Sequence, residues 1–590
     1  MKSILGHLEE KFAEATHRAF PELREQQIEI FPEITLSTQQ KFGHYQYNSA
    51  MKLAKLVKQP PKKIAELILA QMAEQNKMGE QDNLISHLEI AGPGFINITL
   101  HPQFLSQKID FLLRDSHLGI DFPIKPQKII IDFSSPNIAK EMHVGHLRST
   151  VIGDCLARLF EFLGHDVLRQ NHIGDWGTAF GMLIRHLKEE APEILTGKQS
   201  TNIQQLLIWY KESKKKFDED PVFKQQAQQE VVELQQGNEK SRKAWEVICQ
   251  ISRKAYQEIY DLLDVQLTER GESFYNPYLP QIVADLEKKE LIEYSDGAKC
   301  LFVEGFKNRE GDPLPLMIQK SDGGYTYDTT DMATIYHRIA VEKGNRLIYV
   351  IDAGQSTHMQ MIFKAAEKAG YLRPKEVRVD HVAFGLVLGA DGKKFRTRSG
   401  DTERLIDLLL AGIEQANTIL KERNLTMEET ERNALARALG IGAIKYADLS
   451  NHRMGDYTFS YDRMLRFDGN TAAFLLYSYV RIGGIKRKVG KDPLNILKDT
   501  KIELKEPAEI DLGLHILRFH ETLEQFVDDL LPNRLCDYLY QLAEKFNAFF
   551  RDCRVEGSPQ EKERLLLCEA TEKVLRQGLY ILGVPLVEKM

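Results

Sequence analysis

One stretch of the sequence predicts a strand, a turn and a helix in succession: KIIIDFSSPNIAKEMHVGH, residues 128–146. Its first six residues are rich in β-branched and aromatic side chains, which favour a strand. After the turn, apolar residues recur at the spacing of one helix face. These residues are Leu147, Val151, Ile152, Cys155, Leu156, Leu159, Phe160 and Leu163.

The start of this predicted helix is suited to holding phosphate groups. A helix N-terminus carries unpaired N–H groups and a partial positive charge. His143 and His146 lie three residues apart and therefore share one helix face beside it. Gly145 has no Cβ, so a flat ring or a phosphate could approach the backbone closely. At this point an incidental first turn of a structural helix remains the alternative.

A second strand is predicted directly after this helix. Gly164 is placed to end the helix, and residues 166–171 have the composition of a returning strand. A strand, a helix and a second strand form a βαβ unit, which predicts a parallel sheet. The predicted fold class is therefore α/β with a Rossmann-type parallel sheet, and ligands are expected at the carboxyl ends of its strands.

The composition is that of a globular protein with more than one hydrophobic core. A length of 590 residues predicts two to four domains. Hydrophobic residues make up 43% of the chain and charged residues 28%, which excludes a disordered or fibrous protein. The net charge of −7 does not indicate a nucleic-acid partner, so any RNA contact must be local.

Cysteine spacing and the N-terminus exclude further classes. The six cysteines include no Cys-x-x-Cys pair, which predicts neither a structural zinc site nor a disulfide framework, and no metal site is expected. The sequence contains no run of about 18 apolar residues, the length that a membrane span needs. Acidic residues occupy the position where a signal peptide would be apolar. We therefore expect a cytoplasmic protein without a membrane partner.

Three units are predicted along the chain. Residues 1–115 mix helical spacing with a strand-like alternation at 90–100, and indicate a small α+β domain. Residues 116–465 form the α/β unit, with a charged, Gln-rich helical insertion at about 188–245. Residues 466–590 show almost wholly helical spacing, which predicts an all-α helical bundle.

Taken together, these segments resemble the arginyl-tRNA synthetases, a family of class I aminoacyl-tRNA synthetases. The longest match is SPNIAKEMHVGHLRST at residues 135–150, which carries the HIGH signature of the family as His143-Val144-Gly145-His146. Further matching motifs stand at residues 42–48, 171–178, 271–273, 325–331, 468–471 and 582–585. The resemblance therefore spans nearly the whole chain.

The resemblance implies ATP-dependent ligation of L-arginine to tRNA(Arg). Arginyl-adenylate forms first with release of pyrophosphate, and the arginyl group then passes to the terminal ribose 2′-hydroxyl. ATP with Mg²⁺, arginine and tRNA(Arg) are the implied ligands, activation is implied to require bound tRNA, and a monomer is expected. The family assigns the signature histidines to ATP, which implies ATP-binding roles for His143, Gly145 and His146 and catalytic roles for both histidines.

A basic segment at residues 389–400 is predicted to be a mobile loop that can close on pyrophosphate. It stands between a predicted strand and a helix whose start is marked by Asp401 or Thr402. It resembles the KMSK loop of class I synthetases, although the usual spacing of two lysines is not reproduced. The resemblance implies that Lys140, just before the HIGH signature, takes the place of the lysine that this loop lacks. The catalytic candidates added here are Lys140, Lys393, Lys394 and Arg396.

A pocket for arginine should offer carboxylates to its planar, permanently charged guanidinium group. Glu272 and Asp331 match the family positions for this task. The resemblance also implies that Ser135 and Asn137 hold the ammonium and carboxylate groups of the amino acid. The full set of arginine-binding candidates is Ser135, Asn137, His146, Glu272, Tyr327, Asp331 and Gln355.

The C-terminal unit mixes aromatic residues and arginine on one predicted helix. Core packing explains Phe474 and Leu475, whereas Tyr477, Tyr479 and Arg481 are candidates for stacking on or binding anticodon bases. The resemblance assigns this unit to the anticodon and the N-terminal unit to the tRNA elbow.

Two other functions remain open from the sequence. A nucleotidylyltransferase with the same His-x-Gly-His site would make a different adenylate, but it leaves the helical unit unexplained. A catalytically silent paralogue that binds only RNA or a protein partner would not need His143, His146, Glu272 and Asp331, all of which are present.

Overall fold

The N-terminal part of the molecule is a four-stranded antiparallel sheet packed with helices. The computed structural model describes residues 2–77, 84–393, 395, 403–423 and 427–590. In chain order this part contains α1 (Ile4–Ala19), α2 (Pro21–Glu25), β1 (Ile34–Leu36), β2 (Tyr45–Tyr47), α3 (Ala50–Val57), α4 (Pro61–Lys77), β3 (Ile85–Ala91), β4 (Phe95–Leu100) and α5 (Pro102–Arg114). The strand order is β1-β2-β4-β3 and all neighbouring strands are antiparallel, so this part is an α+β domain.

The single strand expected at residues 90–100 is part of a hairpin in the structure. Strand β3 ends at Ala91, which pairs with Phe95 at the start of β4. Between them, Gly92 and Gly94 have φ values of +54° and +142°, conformations that residues with a Cβ rarely adopt. Gly92-Pro93-Gly94 is a turn signal that divides the apolar residues into two strands, so the prediction of a single strand over 90–100 was wrong.

The central unit is built on a five-stranded parallel sheet and a smaller antiparallel one. In chain order it contains β5 (Lys128–Asp132), α6 (Val144–Phe162), β6 (Asp166–Asn171), α7 (Thr178–Glu190), α8 (Pro192–Leu195), α9 (Ile203–Glu219), α10 (Pro221–Gln235), α11 (Glu239–Leu263), β7 (Thr268–Glu269), α12 (Glu272–Tyr275), α13 (Leu279–Lys288), β8 (Glu293–Ser295), β9 (Ala298–Lys307), β10 (Pro313–Gln319), α14 (Tyr327–Tyr336), β11 (Arg346–Tyr349), α15 (Ser356–Lys368), β12 (Arg378–His381), β13 (Val387–Leu388), α16 (Leu405–Arg423), α17 (Glu429–Leu449), β14 (Tyr457–Thr458) and α18 (Tyr461–Met464).

The parallel sheet has the order β12-β11-β5-β6-β7, which confirms the predicted Rossmann-type α/β fold. Strand β5 lies in the middle, and its residues Ile129, Ile130 and Ile131 are all buried. A central parallel strand is covered on both faces, so it reads as a continuous apolar run rather than an alternation. The antiparallel sheet has the order β10-β9-β8.

Helices occupy the segment where an insertion was expected, at about 188–245. Helix α7 packs against α9 and α10, and the long helix α11 contacts α7 to α10 before it leads the chain back to β7. The insertion is therefore connected to the sheet through α11.

The last unit is a bundle of helices, which confirms the predicted all-α fold of the C-terminal part. It contains α19 (Ala472–Val489), α20 (Pro493–Asp499), α21 (Pro507–Leu517), α22 (Phe519–Asp529), α23 (Asn533–Asp552) and α24 (Glu561–Ile581). Among the helices that the structure describes, none is long and apolar enough to cross a lipid bilayer.

Arginine side chains of the central unit form hydrogen bonds with the C-terminus of α22. A helix end leaves its last carbonyl groups without intrahelical partners, and cations are favourable there. Arg346, Arg378 and Arg453 donate to the carbonyl oxygens of Val527, Asp528 and Leu530 at 3.1, 2.9 and 3.1 Å. The helical bundle is thus fixed against β11 and β12.

A buried ion pair fixes the carboxyl end of β5. Arg338 is 1% exposed and donates from Nη2 to Asp132 Oδ2 at 2.6 Å. Asp132 is the last residue of β5, and Arg338 belongs to the π-helical turn His337–Val341 that follows α14. Removing one partner of a buried pair costs about 3–5 kcal/mol, because the other charge is left unpaired. The ion pair therefore fixes the position of Asp132, from which the β5–α6 loop begins.

We expect Gly153→Ala to destabilise the protein. A Cβ on Gly153, inside α6, would lie 2.2 Å from Cγ of the buried Phe133, so α6 would have to move away from the sheet. Overpacking of this kind costs about 1–3 kcal/mol. Scanning calorimetry should show a lower unfolding temperature for this variant.

Gly484→Ala is the matched control, because Gly484 also lies inside a helix, α19. The nearest atom to a Cβ there is Nη2 of Arg487 at 3.9 Å, so alanine fits without displacement. Alanine in a helix interior is favoured over glycine by about 0.5–1 kcal/mol. An unfolding temperature for Gly153→Ala at or above that of the parent would contradict the packing described for α6.

Candidate active site

The predicted site residues converge at the carboxyl edge of the parallel sheet. The β5–α6 loop, residues 133–143, leaves β5 there, and Glu272 and Gln355 follow β7 and β11. Strand β5 lies between β6, which comes next in the chain, and β11, which comes much later. The direction of chain progression reverses at this point, and ligands of open α/β sheets bind at such switch points.

The two signature histidines cap the N-terminus of α6. His143 is the N-cap residue, and its Nδ1 accepts the N–H of Gly145 at 3.0 Å. His146 Nδ1 accepts the N–H of His143 at 3.1 Å, and the two rings lie 4.1 Å apart between centroids. Both side chains are therefore held by backbone groups of the first helical turn.

These hydrogen bonds fix which nitrogen carries the proton. An imidazole that accepts through Nδ1 carries its hydrogen on Nε2 when it is neutral. Burial, and next the neighbouring His143 and Lys140, lower the pKa of His146 to about 3, so it is neutral near pH 7. His146 therefore offers an N–H donor rather than a positive charge.

Gly145 has a local reason to be glycine. A Cβ at this position would lie 2.9 Å from Cε1 of His143, closer than real Cβ contacts allow. Glycine thus permits the His143 ring to fold back over the helix start, in addition to any close approach of a ligand.

The β5–α6 loop contains backbone conformations that are rare for residues with a Cβ. Ser134, Ser135 and Ala139 have φ values of +72°, +48° and +62°. Ser135 Oγ donates to Asp132 Oδ1 at 2.9 Å and accepts the N–H of His172 at 3.1 Å. Such strain persists only where surrounding contacts impose it, and it clusters at functional sites.

Asn137 is exposed, whereas Ser135 is half-buried. Asn137 forms a parallel bridge with Gly174 in the loop after β6. A Cβ on Gly174 would lie 2.0 Å from Asn137 Oδ1, so this glycine makes room for the amide side chain. The loop after β6 therefore shapes the surroundings of Asn137.

Two of the predicted cationic residues can be placed. Lys140 is exposed, and its Nζ lies 5.6 Å from the ring centroid of Tyr210 on α9 of the insertion. Lys393 is exposed and forms a turn in which its carbonyl oxygen accepts the N–H of Gly389 at 2.8 Å. Lys394 and Arg396 lie outside the described residues, as do Asp401 and Thr402, where a helix start was expected.

A cluster of acids lies at the same edge of the sheet. Burial raises the pKa of Glu272 to about 7, and the negative charges of Asp175 and Asp331 add to this shift. Burial also raises the pKa of Asp328 to about 6. Asp328 Oδ2 accepts the N–H of Met317 at 2.6 Å, while its buried Oδ1 has no hydrogen-bond partner. Carboxyl groups whose pKa is raised in this way are suited to binding a cation.

His358 is a member of this cluster that the sequence did not single out. Its Nε2 lies 2.6 Å from Asp331 Oδ2 and its Nδ1 lies 3.7 Å from Asp328 Oδ1. The hydrogen bond with Asp331 and the charges of both acids outweigh burial and raise the pKa of His358. The available signal in the sequence was its place three residues after Gln355, which was already a candidate for arginine binding.

Tyr327 and Gln355 lie beside this cluster and are exposed. Tyr327 begins α14, is 66% exposed, and its ring stands edge-on to His358 at 5.2 Å. Gln355 immediately precedes α15, the helix that carries His358. The structure thus brings Glu272, Asp331, Tyr327 and Gln355 to one edge of the sheet, near the loop that carries Ser135 and Asn137.

The three candidates on α19 belong to a different surface. Arg481 donates to Asn547 Oδ1 at 3.2 Å and stacks over the ring of Phe550 on α23. Tyr479 accepts a hydrogen bond from Arg576 on α24 at 3.2 Å, whereas Tyr477 is 47% exposed. Arg481 and Tyr479 therefore point towards different neighbouring helices and do not form one cluster.

Family models cover almost the whole chain. A model described as "tRNA synthetases class I (R), catalytic domain" matches residues 109–461. One described as "DALR anticodon binding domain" matches residues 475–590, and one described as "Arginyl tRNA synthetase N terminal domain" matches residues 6–100.

Individual relatives match over their full lengths. The chain is 67% identical to the arginine–tRNA ligase of Protochlamydia amoebophila (strain UWE25), with 100% of both chains covered. It is 50% identical to that of Chlamydia abortus (strain DSM 27085 / S26/3), again over 100% of both. The crystal structure of arginyl-tRNA synthetase from Plasmodium falciparum matches with a TM-score of 0.86 at 34% identity, covering 100% of both chains. The chain belongs to the arginyl-tRNA synthetase family of class I aminoacyl-tRNA synthetases.

Proposed function

We propose that this chain attaches L-arginine to tRNA(Arg) for protein synthesis. A carboxylate oxygen of arginine attacks the α-phosphorus of ATP, the α–β phosphoanhydride bond breaks, and pyrophosphate leaves. The terminal ribose 2′-hydroxyl of the tRNA then attacks the carbonyl carbon of the adenylate, and AMP leaves. The observation that carries this proposal is the half-buried acid cluster around Glu272 and Asp331, placed at the same sheet edge as the histidine-capped start of α6.

The start of α6 is the proposed site of the ATP phosphates. Donors that match the charge growing on the phosphate oxygens lower the barrier of this step. His143, Gly145 and His146 are assigned to ATP, with the histidines donating hydrogen bonds. Because His146 is neutral, positive charge has to come from Lys140 and from the helix N-terminus.

The basic segment after β13 completes the proposed phosphate site. Lys393, Lys394 and Arg396 are assigned to the departing pyrophosphate, for which their charges are suited. Mg²⁺ is expected to arrive with ATP, bound mainly by phosphates and water. No group of His, Cys, Asp and Glu side chains that could hold a metal ion occurs in the part of the chain that the structure describes, and we assign no residue to this ion.

The acid cluster is the proposed site of the arginine side chain. Glu272 and Asp331 are assigned to the guanidinium group, with Tyr327 and Gln355 beside it. Ser135, Asn137 and His146 are assigned to the ammonium and carboxylate groups. The hydrogen bond between His358 and Asp331 gives way to the incoming guanidinium, since the imidazole and the guanidinium compete for one carboxylate.

The tRNA is proposed to contact all three units, residues 1–115, 116–465 and 466–590. The N-terminal unit is assigned to the elbow and the helical unit to the anticodon, with Tyr477, Tyr479 and Arg481 as contacts. Exposed Tyr477 and the Arg481–Phe550 stack offer surfaces of the kind that bind unpaired bases. We further propose a cytoplasmic monomer.

The reaction predicts pyrophosphate exchange into ATP that depends on arginine. We expect exchange with L-arginine when total tRNA is present, none with L-arginine when tRNA is omitted, and none with the other amino acids in either case. A neutral amino acid would leave the half-buried carboxylate of Glu272 without a cationic partner, which disfavours binding by several orders of magnitude. Exchange driven by another amino acid would reject the proposed substrate.

His146→Ala is expected to lower the exchange rate about 10²–10³-fold, the usual effect of removing one donor to a developing anion. The control is His165→Ala, because His165 Nδ1 also accepts a backbone N–H, from Gln127 at 3.1 Å, but at the start of β6. This control should keep the parental rate. Equal activity of His146→Ala and the parent would remove the histidine from the mechanism.

The affinity for arginine is expected to rise with pH through the pKa of Glu272. Below its pKa of about 7 this carboxyl is protonated and cannot pair with the guanidinium, whereas above it the ion pair forms. The KM for arginine in the exchange assay should fall about tenfold between pH 6 and pH 8, as expected for one titrating group.

Glu272→Gln should weaken arginine binding and make the KM nearly independent of pH over this interval. Glu293→Gln, an exposed acid on β8, is the control and should keep the parental profile. A parental KM that stays constant from pH 6 to pH 8 would contradict a titrating carboxyl in the arginine site.

A further inference from the structure

Three polar side chains form a stripe along α11 that faces the β5–α6 loop. Ser252, Tyr256 and Tyr260 are four residues apart, so they lie on one face of the helix. They are 0%, 2% and 5% exposed. Buried hydroxyl groups need hydrogen-bond partners, and all three find theirs in or beside this loop.

Tyr256 holds the middle of the loop. Its hydroxyl group lies 2.6 Å from the carbonyl oxygen of Asn137 and 2.7 Å from that of Lys140, and these two acceptors share its single proton. These two residues are the ones assigned above to the amino-acid backbone and to ATP. One hydroxyl group therefore ties the two proposed substrate-binding residues together through their backbone.

Ser252 and Tyr260 hold the strained positions on either side. Ser252 Oγ accepts the N–H of Ala139 at 3.0 Å, where φ is +62°. The hydroxyl group of Tyr260 lies 2.8 Å from Ser134 Oγ, where φ is +72°, and it accepts a hydrogen bond from Asn171 at 3.2 Å. The stripe thus meets two of the three left-handed residues of the loop.

We propose that Ser252, Tyr256 and Tyr260 are positioning residues, which hold the β5–α6 loop in the conformation that aligns arginine with ATP. The inference rests on the proposed function, because its consequence is read in that reaction. None of the three is assigned a contact with substrate. They act through the side chain of Ser134 and through backbone groups of Asn137, Ala139 and Lys140. The left-handed conformations of Ser134 and Ala139 would otherwise relax.

Further contacts of α11 connect the insertion to the proposed active site. Helix α11 begins at Glu239, and Trp245 on it donates to the carbonyl oxygen of Asp175 at 2.7 Å. Asp175 in turn accepts hydrogen bonds from the N–H and Oγ of Ser273, the residue after Glu272. Displacement of α11 would therefore reach both the loop and the acid cluster.

The test compares Tyr256→Phe with Tyr538→Phe. Tyr538 is also buried, and its hydroxyl group also donates to two backbone carbonyl oxygens, of His515 and Ile516, at 2.9 and 3.2 Å. It lies on α23 of the helical unit, away from the loop. Both variants lose the same chemical group from a similar environment, so they should lose similar stability.

We expect the kinetic constants of Tyr256→Phe and Tyr538→Phe to differ. In arginine-dependent exchange with tRNA present, Tyr256→Phe should lower kcat about 10–100-fold and raise the KM for arginine, because a small misplacement of reacting groups costs up to about 100-fold. Tyr538→Phe should leave both constants at parental values. Hydrogen exchange of the peptide covering residues 134–140 should accelerate in Tyr256→Phe only.

Ser252→Ala and Tyr260→Phe should act in the same direction, and they carry the test if Tyr256→Phe does not fold. Parental kinetics in the folded α11 variants, or equal losses in these variants and in Tyr538→Phe, would overturn the positioning role. A parent that shows no arginine-dependent exchange would instead reject the proposed function, and the positioning role with it. The two failures are therefore distinguishable.

Discussion

The left-handed backbone of the β5–α6 loop is the constraint on which the site depends. Ser134, Ser135 and Ala139 adopt φ values between +48° and +72°, which are unfavourable for residues with a Cβ. The turn brings Ser135, Asn137 and Lys140 into the short space between β5 and the start of α6. The loop can be this compact because its ends are fixed, one by the Asp132–Arg338 pair and the other by the capped helix.

The edge of the sheet is divided by charge. On one side, the start of α6 presents backbone N–H groups and His146, which stays neutral because burial lowers its pKa. On the other side, burial and mutual repulsion raise the pKa of Glu272, so this acid gains most from a cationic ligand. Under the proposed assignments, the anionic nucleotide would lie on the first side and the cationic amino acid on the second. Asp331 on this side is hydrogen-bonded to His358.

The sequence predicted the elements that local patterns define and missed the contacts that only the fold creates. The apolar run of β5, the helical spacing of α6 and the returning strand β6 were predicted because each pattern is contained in fewer than about 20 residues, the length of one ordinary helix. Tyr256 and Tyr260 were missed because on α11 they have the spacing of core aromatics. Their partners in the loop precede them by 116 to 126 residues. His358 was missed for a similar reason, since 27 residues separate it from Asp331.

The helical unit and the start of α6 are joined by a continuous set of short contacts. Arg453 donates to the carbonyl oxygen of Leu530 at the end of α22, and its own carbonyl oxygen accepts the N–H of Gly385 at 2.9 Å. Gly385 in turn accepts a hydrogen bond from Arg148 at 2.9 Å, two residues after His146 on α6. Arg148 is fully buried and paired with Asp448, and close-packed interiors do not permit large independent movements. A tRNA held by the helical unit would therefore meet α6 at a fixed separation, which a flexible linker between the two units could not maintain.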